Sequence, residues 1–205
     1  MKKFFAAAIA LSLAFSANAQ IKVGAGLMTG LPIGSGSVED GEFSFSDSDL
    51  GFGFGIGGGI SGEYMITDNI GAGLSVGFLS FSSNIEDEPD LIEQNALTII
   101  PIQLFGNYYF MPGEDFNFYA GIGVGFSLVN SSRVFFGEEI DISGNGVAFT
   151  PRVGATYMFS DVIGIDLNVG YTILNSTLAY GDEDAEESSD FSYIPINLGI
   201  VYVIE

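Results

Sequence analysis

The sequence predicts an all-β chain, an eight-stranded antiparallel up-and-down transmembrane β-barrel. Three observations carry this. Apolar residues alternate with small or polar ones at a period of two in eight segments, and no helical period follows residue 19. The gaps between the segments alternate between long and short, as in a meander of hairpins. The charges inside the segments all fall on one face, and the other face is oily throughout.

The elements follow in order. Residues 1–19 read as a secretory signal peptide. Lys2 and Lys3 form a basic start, Phe4 to Phe15 an apolar run of about a dozen residues, and Ala17-Asn18-Ala19 a cleavage site. That run is too short to cross a membrane as a helix. The mature chain is expected to start at Gln20, with the barrel over 20–205. The absence of cysteine excludes a lipoprotein anchor at the cut, disulfides and thiolate metal sites. Removing the signal leaves Lys22, Arg133 and Arg152 as the only cations against 26 acids, so the formal charge falls from −21 to about −23. Such a field makes nucleic acid an improbable partner.

Strands are expected at 21–32, 51–66, 70–82, 96–111, 117–131, 147–159, 163–177 and 191–204. The long gaps fall near 33–50, 83–95, 132–146 and 178–190. The short ones are Thr67-Asp68-Asn69, Pro112–Phe116 and Ser160-Asp161-Val162. Both termini then lie at the tight-turn end, as in bacterial outer-membrane barrels with short periplasmic turns. Four strands run toward that end, and each closes on the same pattern: Tyr64-Met65-Ile66, Tyr108-Tyr109-Phe110, Tyr157-Met158-Phe159 and Tyr202-Val203-Ile204. Aromatic side chains at one height form an interfacial girdle. Phe52, Phe78, Phe126, Phe149 and Tyr171 are placed to form the opposite one.

The second segment, "GFGFGIGGGISGEYMI" at 51–66, states the packing problem most sharply. Phe52, Phe54, Ile56 and Ile60 share one face, and the other is almost bare backbone. Glycine weakens an ordinary strand. Here the oily face is expected to meet lipid, and the glycine face to point into a narrow lumen. The interior of an eight-stranded barrel only just holds side chains. Gly53, Gly55, Gly57, Gly71, Gly73, Gly121, Gly123 and Gly125 then leave room for Phe105, Tyr109, Tyr119 and the inward charges. A soluble lipocalin-like barrel would show the inverse pattern, oily inside and polar outside. Pro101, Pro151 and Pro195 lie inside three strands of a sheet with no free edge. Bulges, or strands that stop pairing near the rim, would accommodate them.

On these residues the chain resembles the small eight-stranded outer-membrane β-barrel family, of the OmpA-domain and OmpX type. Within it, the chain is similar to the short outer-membrane β-barrel proteins of Bacteroidetes-like bacteria. Phe118-Tyr119-Ala120-Gly121-Ile122-Gly123-Val124-Gly125-Phe126, Ile102-Gln103-Leu104-Phe105-Gly106-Asn107-Tyr108-Tyr109-Phe110 and Val169-Gly170-Tyr171 carry the resemblance over 20–205. It implies a Gram-negative outer-membrane protein facing lipid and lipopolysaccharide. Envelope-integrity, adhesion, defence and secretion-accessory roles all occur on this fold. Two departures matter: the chain ends in Tyr202-Val203-Ile204-Glu205 rather than in Phe, and no peptidoglycan-binding domain follows the last strand.

Catalysis is not expected, because barrel enzymes of that membrane resemble one another in using histidine and this chain has none. No cofactor or metal ligand set is specified either. Gly53-x-Gly55-x-x-Gly58 matches a dinucleotide fingerprint, but no helix follows it. The chemistry-bearing candidates are the lumen charges Lys22, Glu63, Arg152 and Asp166. Lys22 and Glu63 lie near the tight-turn rim, where they are expected to pair. Asp166 lies near them, and Arg152 stands about 10 Å higher along the axis than Asp166, with Gln103, Asn107, Thr150, water or an acid from an inward-folding loop as the candidates to satisfy it. Acids crowd the long gaps: Glu39, Asp40, Glu42, Asp47 and Asp49; Glu86, Asp87, Glu88, Asp90 and Glu93; Glu138, Glu139 and Asp141; Asp182, Glu183, Asp184, Glu186, Glu187 and Asp190. They read as solvated loops, or else as sites for divalent cations. The functional expectation is a monomeric barrel with a structural or cell-surface interaction role. The alternative is a narrow porin-like channel or small-molecule binder acting through the polar lumen.

Overall fold

The computed structural model describes residues 20–33, 52–83, 92–94, 96–135, 138–180 and 186–204. The expected signal peptide lies outside the described residues, as do the acids of the first long gap, Glu86 to Asp90 of the second, and Asp182 to Asp184. The strands are β1 (Ile21–Ile33), β2 (Phe52–Met65), β3 (Ile70–Ser83), β4 (Ile92–Gln94), β5 (Leu97–Tyr109), β6 (Phe116–Phe135), β7 (Glu138–Met158), β8 (Ile163–Gly170), β9 (Thr172–Tyr180) and β10 (Glu186–Ile204). β4 and β5 follow one another along β6, and β8 and β9 follow one another along β7, so the ten segments form eight barrel strands. All pairings are antiparallel, and β1 closes the barrel on β10 from Ile21↔Ile204 to Ile33↔Ser192. Closure leaves no sheet edge to be satisfied in lipid.

Two of the expected long loops are largely strand. β6 and β7 run for 20 and 21 residues. Their ladder is continuous from Phe116↔Tyr157 to Phe135↔Glu138. A tilted strand crosses the bilayer in roughly 9–11 residues, so about ten residues of each strand lie beyond it. Glu138, Glu139 and Asp141 therefore sit on β7, and Glu186, Glu187 and Asp190 on β10. Apolar alternation ends where lipid ends, but the backbone ladder does not. The sequence signal stopped short for that reason. Across the extended β9–β10 pair, Asn175 Nδ2 donates to Asp190 Oδ1 at 2.6 Å.

The prolines cause no bulge; each interrupts the ladder on one side for two pairs, after which pairing resumes in the same register. Val76↔Ile102 and Leu79↔Ile99 have the same offset on either side of Pro101, so the β3–β5 ladder only skips two pairs. Pro151 leaves a one-sided contact, in which the Tyr171 N–H donates to the Pro151 carbonyl at 3.0 Å. No N–H returns, and β8 gives way to β9 at that residue. The local register shifts lie elsewhere. One is in β2–β3 between Phe52 and Gly55. Another separates Gln94↔Arg133 from Thr98↔Asn130, across which the offset on β6 changes by one residue.

The tight turns have side-chain causes. Thr67 Oγ1 accepts from the Asn69 and Ile70 N–H groups, and Ser160 Oγ from those of Val162 and Ile163. The turn between β5 and β6 places Gly113 at φ 83°, a conformation that favours glycine.

The faces segregate as lipid requires. Leu27, Ile60, Leu104, Phe126, Val153 and Ile200 are each more than 60% exposed, one or more from most strands. At the tight-turn end Phe118, Phe116, Tyr157 and Phe159 form a run of ring contacts with centroids 4.7–6.4 Å apart, and Tyr108 and Phe110 form a separate pair at 5.4 Å. The core is the lumen. Toward the long hairpins it is filled by Leu79, Phe81, Leu97, Ile99, Val129, Ala148, Leu174, Phe191 and Tyr193. Phe81 on β3 meets Tyr193 on β10 at 5.6 Å between rings, although β2 and β1 lie between their strands. The contact is made through the interior, over Gly55 and Gly30. A Cβ on Gly30 would fall 2.6 Å from Phe81 Cζ and 3.5 Å from Tyr193 Cδ2. This apolar plug interrupts the polar lumen that the narrow-channel alternative assumed.

Candidate functional site in the barrel lumen

Below the plug, toward the tight turns, lies a chamber of about 150 Å³. Lys22, Glu63, Arg152 and Asp166 all line it. Alternation dictates this: each residue stands one position away from an outward apolar residue of its own strand.

Lys22 and Glu63 are directly opposite each other on β1 and β2. The expected ion pair between them is not the contact that forms. Lys22 Nζ sits over the Tyr109 ring, 3.8 Å from its centroid. The Glu63 carboxylate is taken by neutral donors instead: Asn107 Nδ2 at 2.9 Å and Tyr109 Oη at 2.7 Å. Tyr109 thus holds the cation on its face and the anion at its hydroxyl.

Arg152 lies on β7, where Gly121 and Gly170 are its cross-strand neighbours. Its Nε and Nη2 donate to Asn107 Oδ1 at 3.2 and 3.0 Å. The guanidinium covers the Phe105 ring at 4.1 Å. Asn107 therefore links Arg152 to Glu63 through the two ends of one amide.

Asp166 organises a second cluster. Its Oδ1 accepts from Tyr119 Oη at 3.0 Å and from Asn168 Nδ2 at 2.8 Å, and its Oδ2 accepts from Thr156 at 2.9 Å. Asn197 Nδ2 extends the cluster to Asn168 Oδ1 at 2.7 Å. The Tyr109 and Tyr119 rings meet at 5.2 Å and join the two clusters. Above them Gln103 Nε2 donates to Thr150 Oγ1, which shares a 2.9 Å bond with Thr172 Oγ1 directly beneath the plug.

Most of these bonds skip a strand. Glu63 on β2 reaches β5 across Gly71 of β3, and Asn107 on β5 reaches β7 across Gly121 of β6. Tyr119 on β6 reaches β8 across Gly154 of β7. In each case a Cβ on the intervening glycine would collide with the bridging side chain. For Gly154 the Tyr119 Cζ and Oη atoms lie 2.5 and 2.6 Å away.

Sequence reasoning placed the four charges and offered Asn107 for Arg152, but not the donors that hold the two carboxylates. Tyr109 and Tyr119 were legible only as inward positions. The plug had a signal that went unused. Alternation gives way to continuous apolar pairs at Phe78-Leu79, Ile99-Ile100, Leu128-Val129 and Ile173-Leu174, which marks strands buried on both faces.

A closed antiparallel barrel with a lipid-compatible exterior and a packed lumen defines an integral β-barrel membrane protein. The chain belongs to the outer-membrane β-barrel family: the "Outer membrane protein beta-barrel domain" matches residues 5–203. Its place is accordingly the outer membrane. Solved structures agree in fold. OprG from Pseudomonas aeruginosa is 17% identical with a TM-score of 0.57, covering 91% of this chain and 96% of that one. Ail, the attachment invasion locus protein of Yersinia pestis, is 13% identical with a TM-score of 0.58, over 91% and 99%. A major outer membrane protein from Thermus thermophilus is 15% identical with a TM-score of 0.60, over 91% and 100%. No curated protein sequence matches this chain.

Proposed function

We propose that the chain is a non-conducting structural barrel whose work is done at its lipid-facing wall and its long hairpins, in envelope integrity or cell-surface interaction. One observation carries this reading: the lumen is filled on the long-hairpin side by a plug whose Leu79, Phe81 and Ile99 are fully buried. Ions crossing that layer would lose most of their hydration against apolar side chains. The absence of histidine and cysteine supports a role without catalysis. On this reading residues 1–19 are cleaved on export, the tight turns face the periplasm, and the hairpins face outward among lipopolysaccharide. The barrel acts as a monomer, with divalent cations as counter-ions to its acidic hairpins. The test is planar-bilayer recording of the refolded protein. The expected record shows no discrete steps. Reproducible single-channel steps from the unmodified protein would overturn the proposal and favour the narrow channel.

A further inference from the structure

The chamber distributes its hydrogen bonds unevenly. Its two carboxylates are served by five neutral donors, from Asn107, Tyr109, Tyr119, Asn168 and Thr156. Its two cations are served by rings and a single amide oxygen. Neither cation forms an ion pair with a carboxylate among the described residues. Arg152 Nη1 and all three Lys22 N–H groups have no hydrogen-bond acceptor among the described residues. Facing the chamber, such donors are left to water or to a bound anion.

We propose that this chamber is a binding site for a small oxyanion of the phosphate type. The charged N–H groups of Arg152 and Lys22 match anionic oxygens, with which they form the strongest class of hydrogen bond. The volume of about 150 Å³ admits such an ion with a few waters and excludes large organic ligands. Glu63 and Asp166 oppose the anion less than bare carboxylates would, because neutral donors already face their oxygens. The plug closes the chamber toward the long hairpins, so an ion that enters passes no further.

The experiment uses the full barrel folded in detergent micelles. Sodium phosphate is titrated at neutral pH and constant ionic strength, with sodium chloride as the control. Near-ultraviolet circular dichroism reports on tyrosine, since Tyr109 and Tyr119 line the chamber and the chain has no tryptophan. A saturable response to phosphate but not chloride is expected. It should weaken about tenfold or more in Arg152→Gln and in Lys22→Gln, each first confirmed as folded by its migration on an unheated gel. No saturable response, or one unchanged in both folded variants, overturns the proposal. Where a variant does not fold, crystals of the unmodified protein soaked in arsenate decide. An anomalous peak within hydrogen-bond reach of Arg152 supports the site, and a chamber without one refutes it.

Discussion

Asn107→Leu should destabilise the barrel more than a change of such similar volume has a right to. Asn107 is 5% exposed and holds charges on both sides. Its Oδ1 accepts from Arg152 at 3.2 and 3.0 Å, and its Nδ2 donates to Glu63 at 2.9 Å. Leucine removes all three bonds and keeps the bulk. The two Arg152 bonds share one acceptor and count as one contact. A hydrogen bond to a charged group contributes about 1.5–3 kcal/mol, so two such contacts give roughly 3–6 kcal/mol. The chamber lets water reach Arg152, which draws the expected loss to the lower part of that range, about 3–4 kcal/mol. The assay is urea unfolding in phospholipid vesicles, followed by gel mobility and extrapolated to zero denaturant. A double-mutant cycle with Arg152→Met should show a coupling of at least about 1 kcal/mol, because the cation left stranded by the first change is absent in the second. A loss under about 0.5 kcal/mol, or additive effects in the cycle, would refute the claim that this amide joins the lumen charges.

Other expected outcomes test the remaining layers. Leu104 is 64% exposed on the lipid face, so Leu104→Arg should cost roughly 2–4 kcal/mol while Leu104→Phe assembles normally; equal behaviour would contradict the placement of that face in lipid. Gly154→Val should overpack the lumen against Tyr119, with a loss of about 1–3 kcal/mol in the same unfolding assay that Tyr119→Ala partly relieves. Cysteines introduced at Ser46 or Ser188 should react with an impermeant maleimide on intact cells, and those at Asn69 or Asp161 should not; the converse would reverse the proposed orientation.

The wall of this barrel was legible in the sequence because lipid imposes a simple rule on it. Every second residue of β3, from Ile70 to Phe78, must be apolar, and a single lysine there would be costly. Strand number, meander order and inward facing of Lys22, Glu63, Arg152 and Asp166 follow from that rule and from gap lengths. Two features escaped it. The extent of β6 and β7 beyond the membrane obeys backbone pairing alone, which leaves no periodic mark where both faces meet water. The partners of the carboxylates escaped because they depend on which inward residues share a level across the lumen. Tilted strands bring together side chains whose numbers give no hint of it, as when Glu63 meets Tyr109 and Asp166 meets Tyr119.

The glycine-rich faces do more than make a narrow lumen possible. In a sheet, a side chain ordinarily meets its direct cross-strand neighbours. Here Glu63, Asn107, Gln103 and Tyr119 each pass over a glycine of the adjoining strand and bond to the strand beyond. Phe81 goes further, and crosses Gly55 and Gly30 to reach Tyr193. Local pairing already holds neighbouring strands together, so bonds of this kind constrain what pairing leaves free, the curvature and cross-section of the closed sheet. They form only when three or four strands have taken their places. A barrel bound in this way should fold in one cooperative step. Its glycines should be among its least replaceable residues, although each of them alone weakens the strand in which it lies.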